Sequence, residues 1–360
     1  MRWLSTSLIS SERRAGDPAS LTVMESSRAS ARLVATSFDD RYIWPWLCSL
    51  WSAVHGSQQP LRFLIANVNG LLSPEGKDVV AQCLKWLSVD GEVVDLEVNV
   101  PELNDHQWNA TVYARLALLD SLDEPFMWLD ADTLLLPGWD DIFTNGDRLF
   151  EDPAIIAGGV FDRGMTLARM KIDGKNQAFN RCGGRYFNAG ILLLRPDRWK
   201  AAHLDSLWMD LVRREKELGF QYHDQDILNY LLTDRVSFLD VGFNHIISEP
   251  LSGSEKILHY AGFPKPWKLD EAGRAFFIAL EVLNWDRPSH QISGGGSAWV
   301  TFPRYWDLET NVRAELAASG QESLVAALMK LRESQLSLFS KPEQFKFGML
   351  RRIAKKFQSW

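Results

Sequence analysis

From residue 31 onward, short apolar runs alternate with longer segments of helical spacing, and this alternation constrains the fold more than any other feature. The strand patterns are Arg32–Thr36, Leu61–Ala66, Glu92–Val98, Pro125–Leu129, Ala154–Val160 and Phe187–Leu194. The helix patterns are Tyr42–Val54, Pro74–Leu87, Ala110–Leu122, Asp197–Leu218 and Asp224–Leu232. Alternating strands and helices predict an α/β fold built from βαβ units around a mostly parallel sheet. In such a sheet, ligands bind beyond the carboxyl ends of the strands.

Composition and spacing divide the chain into four predicted parts. Residues 1–30 are rich in serine and have no periodicity, which predicts a poorly ordered leading segment, and Met24 stays open as an alternative start. Residues 31–267 carry the alternating pattern and form the predicted α/β domain. Residues 268–340 include the helical spacing of Glu309–Leu338 and are predicted to be a helical extension that forms the acceptor side of the site. Residues 341–360 form a basic tail with a net charge of +5.

Composition also excludes several classes of protein. Hydrophobic residues make up 46% and charged residues 24% of the chain, as in a soluble globular protein with a sizeable core. The net charge of −7 argues against a nucleic-acid partner. Apolar runs are all shorter than the ~18 residues that a membrane-spanning helix needs. Three widely spaced cysteines fit a reducing compartment better than a secreted protein.

Two aspartates, Asp130 and Asp132, directly follow the apolar strand pattern Pro125–Leu129. Once the chain leaves strand geometry, both carboxylates can converge on one hard divalent cation. Mg²⁺ and Mn²⁺ suit carboxylate oxygens and bridge readily to phosphate. A surface turn with two solvated aspartates is the alternative, because this spacing is common by chance.

A second polar segment, His259–Trp267, follows another short apolar run. The imidazole of His259 could add a nitrogen ligand to the two aspartates. Gly262 permits close approach of a phosphate to the backbone, and Lys265 supplies a positive charge for it. The alternative is that His259 only ends a strand.

Together these segments resemble glycosyltransferase family 8, whose members are retaining enzymes of the GT-A fold that use nucleotide sugars. The resemblance extends from about Ala31 to Trp267. Its motifs, in the family's order, are Ser37–Tyr42, Leu129–Asp132, Tyr186–Leu193, His223–Asn229 and His259–Trp267. It implies a Rossmann-like mixed sheet flanked by helices, with an activity similar to that of lipopolysaccharide galactosyl- or glucosyltransferases.

The resemblance also assigns roles position by position. The residues implied to bind the nucleotide sugar are Asp39, Asp40, Tyr42, Arg115, Asp130, Gly262 and Lys265. The implied metal ligands are Asp130, Asp132 and His259, with Mn²⁺ as the ion and Mg²⁺ as an alternative. The implied catalytic residues, which would face the sugar, are Asn188, Asp224 and Gln225. Arg41 stands where the family often has Asn, which leaves the base selectivity open.

Three of these residues also fit purely structural roles. Arg115 fits a helix surface on which its stem lies along apolar side chains. Asn188 fits a strand end, and Asp224 fits the N-cap of the helix that follows it. A capping role and a sugar-binding role can coexist when the start of the helix points into the site.

The implied reaction is transfer of glucose or galactose from a UDP-sugar to a hydroxyl of a glycan or glycolipid acceptor. Same-face attack by the acceptor is favoured over a covalent intermediate, because the amide of Gln225 is a weak nucleophile. A catalytically silent relative that binds a nucleotide sugar or glycan is the alternative. The presence of all three candidate metal ligands disfavours it. A divalent-metal phosphohydrolase would account for the two aspartates but not for the other motifs.

The basic tail fits an acceptor embedded in a membrane. Its apolar residues Leu350, Ile353, Phe357 and Trp360 recur at helical spacing among the cations. A basic amphipathic helix of this kind binds an anionic membrane surface. We therefore expect a cytoplasmic protein held peripherally at the inner face of the membrane. The alternative is a helix packed on the rest of the chain, which carries −12.

Overall fold

The structure is a computed structural model, and it describes residues 31–100, 109–163, 165, 184–205, 207–247, 249, 251–262, 265–269, 274 and 298–338. The strands are β1 Arg32–Ser37, β2 Leu61–Val68, β3 Asp90–Leu96, β4 Phe126–Leu129, β5 Thr133–Leu135, β6 Ala157–Phe161, β7 Phe187–Leu194, β8 Val236–Leu239, β9 His245–Ile246 and β10 Ile257–His259. The helices are α1 Ile43–Gly56, α2 Pro74–Trp86, α3 Ala114–Ser121, α4 Asp141–Leu149, α5 Pro196–Ala201, α6 Trp208–Arg213, α7 Glu215–Leu218, α8 His223–Leu231, α9 Ala298–Ala318 and α10 Glu322–Leu338.

A seven-stranded mixed sheet with the order β3-β2-β1-β4-β7-β6-β8 forms the centre of the fold. The prediction of a mostly parallel sheet is confirmed, and the exception is β7, which runs antiparallel to both β4 and β6. Apolar runs do not reveal this direction, because β7 is buried along its whole length as a central parallel strand would be. The mixed sheet matches the implication of the family resemblance. The reversal places the end of β4 beside the start of β7.

A small second sheet with the order β5-β10-β9 extends this edge. In it β10 pairs antiparallel with β5, so that His259 lies opposite Thr133. The backbone N–H of Tyr260 donates to the carbonyl of Asp132 over 2.9 Å. This pairing joins the two polar segments that are more than 120 residues apart in the chain. The predicted run before His259 is confirmed as a strand, whereas β5 was not predicted.

Local signals set some helix boundaries and missed others. The hydroxyl of Ser73 accepts from the backbone N–H of Gly76 over 3.0 Å, and Pro74 is the first residue of α2. The single helix predicted over Asp197–Leu218 is wrong, because the chain forms α5, α6 and α7 and takes a left-handed φ of 55° at His203. The helical spacing of Glu309–Leu338 likewise spans two helices, which are separated at Gly320.

Helices cover both faces of the main sheet, and each side has its own apolar core. The core on one side contains residues of α1 and α2 and also of α9 and α10. The other core contains residues of α3 and of α5 to α8. Tyr305 of α9 packs against both Tyr260 and Trp267. The C-terminal helices therefore share a core with the sheet that carries the polar segments.

Within the described residues, the structure contains no helix that is both long enough and apolar enough to cross a membrane. The predicted leading segment 1–30 and the basic tail 341–360 lie outside the described residues.

Candidate active site

A cavity of about 650 Å³ lies where β1 and β4 end and β7 begins. Its walls contain eleven of the twelve residues that the family resemblance implicates. These are Asp39, Tyr42, Arg115, Asp130, Asp132, Asn188, Asp224, Gln225, His259, Gly262 and Lys265. The antiparallel pairing of β4 with β7 is what brings the metal-site and sugar-site motifs together.

Asp40 is the one implicated residue that does not line this cavity. Its carboxylate instead accepts from the backbone N–H of Ser73, directly before α2, over 3.0 Å. Asp39 is the acidic residue of this pair that faces the cavity. It accepts from the guanidinium of Arg41 over 2.6 Å and from the amide of Asn109 over 2.7 Å.

Asp130, Asp132 and His259 form a cluster that could hold a metal ion. Each offers one ligand atom, and these atoms lie within 4.8 Å of one another. Nε2 of His259 lies 3.7 Å from an oxygen of Asp130 and 3.4 Å from one of Asp132. Two carboxylates and an imidazole suit a divalent cation such as Mn²⁺ or Zn²⁺.

The tautomer of His259 also suits a metal ligand. Asn244 donates from its amide nitrogen to Oδ1 of Asn188 over 2.9 Å, which leaves its own Oδ1 as an acceptor. That oxygen lies 3.0 Å from Nδ1 of His259, so Nδ1 carries the proton. Nε2 then faces the two carboxylates and can bind a metal ion once it carries no proton. Ligating histidines in proteins are commonly oriented by such a partner.

Lys265 directly precedes a short 3₁₀ helix, Pro266–Lys268, and reaches the same cluster. Its ammonium donates to Oδ2 of Asp132 and to the carbonyl of Tyr260, both over 2.5 Å. Burial by itself would raise the pKa of Asp132, but the charges of Lys265 and His259 more than offset it and hold this pKa well below its usual range. Asp132 is therefore ionised at neutral pH.

The absence of a side chain at Gly190 leaves room for the imidazole of His259. A Cβ at Gly190 would overlap the ring atoms of His259, so a side chain there would displace the imidazole from the carboxylates. This explains physically why a glycine follows Asn188 and Ala189 in β7.

Arg115 lies in the cavity wall rather than on the helix surface. Its guanidinium lies 3.0 Å from Asp130 and 3.0 Å from Asp224, and it donates to the carbonyl of Ala189. It also stacks 4.5 Å above the ring centre of Trp128, whose indole N–H donates to Asp130 over 2.7 Å. One buried cation thus holds two carboxylates that line the cavity.

The start of α8 contributes Asp224 and Gln225. Burial raises the pKa of Asp224 to about 7, although Arg115 opposes the shift. Asp224 is not the N-cap, because that position belongs to Tyr222. The amide oxygen of Gln225 accepts from the backbone N–H of Ala189 over 2.9 Å, which ties α8 to β7.

Asp226, unlike Asp224, does not line the cavity and is hydrogen-bonded within the protein core. It is fully buried and accepts from the hydroxyl of Tyr186 over 2.5 Å. It also accepts from the backbone N–H groups of Gln221 and Tyr222. These bonds fix the turn from which Asp224 and Gln225 reach the cavity.

The family model described as "Glycosyl transferase family 8" matches residues 77–271, which is more than half of the chain. The chain belongs to glycosyltransferase family 8. The match includes both halves of the metal cluster and the start of α8.

Several relatives match part of the chain in sequence. A glycosyltransferase of Haemophilus influenzae is 28% identical over 225 residues, covering 57% of this chain and 61% of the relative. The lipopolysaccharide 1,3-galactosyltransferase of Salmonella typhimurium is 24% identical over 178 residues, covering 44% of this chain and 50% of that protein. The matches thus span less than two thirds of these relatives' length.

A solved structure shares the fold. It is the galactosyltransferase LgtC in complex with donor and acceptor sugar analogs, with a TM-score of 0.53 and 20% identity. The similarity covers 78% of this chain and 95% of LgtC. The family 8 chain therefore has the GT-A fold, in which a divalent metal is typical.

Sequence patterns did not reveal three residues that complete the site. Asn109 contacts Asp39, Trp128 contacts both Asp130 and Arg115, and Asn244 orients His259. Trp128 looks like an ordinary core residue of β4. Asn109 and Asn244 lie outside any helical or strand period, so only the tertiary contacts identify them.

Proposed function

We propose that this chain is a retaining, Mn²⁺-dependent hexosyltransferase that moves glucose or galactose from a UDP-sugar to a hydroxyl of a glycan or glycolipid. The observation that carries the proposal is the convergence of Asp130, Asp132 and His259 with Lys265 and Arg115 on one cavity. Relatives named as lipopolysaccharide glucosyl- and galactosyltransferases support the choice of sugar and acceptor class.

The donor set of the cluster fits the proposed ion. Asp130, Asp132 and His259 would hold it, and the mixed oxygen and nitrogen ligands suit Mn²⁺ better than Mg²⁺. When bound, the ion would neutralise negative charge on the leaving diphosphate. The fixed tautomer of His259 prepares its Nε2 for this role.

The chain supplies further groups for the diphosphate. Gly262 has a φ of 78°, and the space that its Cβ would occupy is open to 4 Å, so a phosphate can approach the backbone there. Lys265 would place its charge on the same oxygens. A preorganised cation stabilises a developing anion without reorganisation during the reaction.

The nucleobase would bind in the part of the cavity lined by Asp39 and Tyr42. The Tyr42 ring packs edge-on against Trp267, with centroids 5.9 Å apart, which holds it in place for stacking on a base. Burial raises the pKa of the Tyr42 hydroxyl, so the ring stays neutral. Arg41 is held by Asp39 and lies in the same wall.

Asn188, Asp224 and Gln225 would surround the donor sugar. The Gln225 amide oxygen accepts a hydrogen bond from the backbone of β7, which further lowers its already weak nucleophilicity. This contact supports same-face attack. The acceptor oxygen bonds to the anomeric carbon as the carbon–phosphate oxygen bond breaks, and the acceptor proton passes to the departing diphosphate. Gln225 and the ionised form of Asp224 would stabilise the positive charge on the sugar.

The decisive experiment measures UDP release from a panel of UDP-sugars, with and without acceptor, in Mn²⁺ or in chelator. Nuclear magnetic resonance of the product reports whether the anomeric configuration is retained. Asp132→Asn should eliminate release, whereas Asp147→Asn, an exposed carboxylate paired with Arg32, should not. Binding without release would indicate a silent relative. Formation of UMP and a sugar 1-phosphate from the UDP-sugar would indicate a phosphohydrolase. Wild-type turnover in excess chelator would overturn the metal proposal.

A further inference from the structure

We propose that Glu215 is a positioning residue that holds His223 and thereby aims Asp224 and Gln225 at the donor sugar. The inference rests on the proposed function and adds to it a residue that lies outside the reacting groups. Glu215 is the first residue of the short helix α7, and it does not line the cavity.

The carboxylate of Glu215 has two different partners. One oxygen accepts from the hydroxyl of Tyr113 over 2.7 Å. The other lies 2.9 Å from Nδ1 of His223. The Tyr113 and His223 rings also pack edge-on, with centroids 6.2 Å apart. The three side chains form one cluster at the cavity wall.

This cluster joins the two elements that meet inside the site. Tyr113 directly precedes α3, which carries Arg115, and His223 directly precedes Asp224. Inside the cavity Arg115 and Asp224 lie 3.0 Å apart. Glu215 therefore links α3 to the start of α8 through Tyr113 and His223. The ion pair inside the cavity links the same two helices.

The backbone of His223 shows why such a hold is needed. Its φ is 41°, a left-handed conformation that a residue with a Cβ adopts only when surrounding contacts compensate its cost. The bond from Glu215 is such a contact. A return of His223 to an ordinary conformation would redirect the chain at Asp224 and Gln225, which follow it directly.

The first test compares ligand affinities rather than turnover alone. Calorimetry with Mn²⁺ measures the affinity for UDP and for UDP-glucose or UDP-galactose, whichever of the two sugars binds more tightly. We define the sugar increment as the ratio of the UDP-sugar affinity to the UDP affinity. Glu215→Ala should reduce this increment about tenfold, the value of one hydrogen bond to a charged group, and leave UDP affinity unchanged. It should lower kcat more than it changes KM. Glu217→Ala, on the exposed side of the same helix, is the matched control.

The second test asks whether Glu215 acts through the backbone of His223. Glycine adopts a left-handed conformation readily, so His223→Gly should keep much of the increment. In that background Glu215→Ala should have little further effect. Glu215→Gln still accepts from Tyr113 and preserves the shape of the side chain, and it should lose less than Glu215→Ala.

The outcomes separate this inference from the proposed function. Wild-type protein that binds UDP-sugars but never releases UDP would refute the function, and the increments would still test Glu215. Equal losses of UDP and UDP-sugar affinity in a folded Glu215→Ala protein would show a general structural role and overturn the inference. The inference would also be overturned if Glu215→Ala reduced the sugar increment equally with and without His223→Gly. A wild-type protein that shows no sugar increment would overturn it as well.

Discussion

Lys265 and a divalent cation would compete for the carboxylate of Asp132, and Lys265→Met tests this competition. The ammonium of Lys265 donates to Asp132 over 2.5 Å in a buried part of the cavity. Methionine keeps an unbranched stem of similar length beside Trp267 but removes the charge. Without nucleotide, we expect the variant to bind Mn²⁺ more tightly than the wild type, because the metal no longer has to displace a bonded cation.

The expected gain in Mn²⁺ affinity follows from the one charged hydrogen bond that Lys265 makes to Asp132. A hydrogen bond to a charged group contributes a net of about 1.5–3 kcal/mol, so losing the Lys265 competitor should raise Mn²⁺ affinity about 10- to 100-fold. Loss of Lys265 removes one partner of a buried pair from Asp132 and should lower the free energy of unfolding by about 3–5 kcal/mol in metal-free protein. Mn²⁺ should recover much of this loss. UDP affinity should change in the opposite direction, because the variant has lost a charge for the diphosphate.

Calorimetric titration with Mn²⁺ and thermal unfolding with and without Mn²⁺ measure both effects. Lys268→Met is the matched control, because Lys268 lies near the cavity over the Tyr42 ring, at 6.0 Å from its centre, and not on Asp132. Equal or weaker Mn²⁺ binding by a folded Lys265→Met protein would refute the competition. A parallel gain in UDP affinity would refute the diphosphate role.

Three further predictions address other parts of the molecule. Gln225→Ala should lower kcat about 10- to 100-fold with little change in UDP affinity, and equal losses in both would place Gln225 at the nucleotide instead. Asp224 has its pKa raised to about 7 in the folded protein, so its contribution to the free energy of unfolding should be full below about pH 4 and decline as the pH rises to about 7. Asp224→Asn should remove that decline in chemical-denaturation curves at several pH values, and an identical pH profile in both proteins would contradict the shift. Deletion of residues 341–360 removes a net charge of +5 and should abolish salt-sensitive binding to anionic vesicles. Transfer to a small soluble acceptor should survive the deletion. Vesicle binding that changes neither with the deletion nor with the salt concentration would contradict the membrane role.

Residue types and short spacings were enough to predict the local structure of most of the site. The apolar run before Asp130 is a buried strand, and Ser73 and Pro74 begin α2 as their types predict. The polar motifs end strands or begin helices, so their side chains were expected at one edge of the sheet. Eleven of the twelve implicated residues do line one cavity. These signals depend on residue type and short spacing, which a single chain displays directly.

The tertiary structure alone decided which of these residues meet. The antiparallel direction of β7, the pairing of β10 with β5 and the turns at His203 and Gly320 follow from contacts between distant segments. A run of apolar residues carries no information about the direction of its neighbour in a sheet. The same holds for the partners of Asn244 and Glu215, which only folding brings within hydrogen-bond distance. Pairing direction and side-chain partners are properties of the packed molecule, because they are set by the lowest free energy of the whole fold.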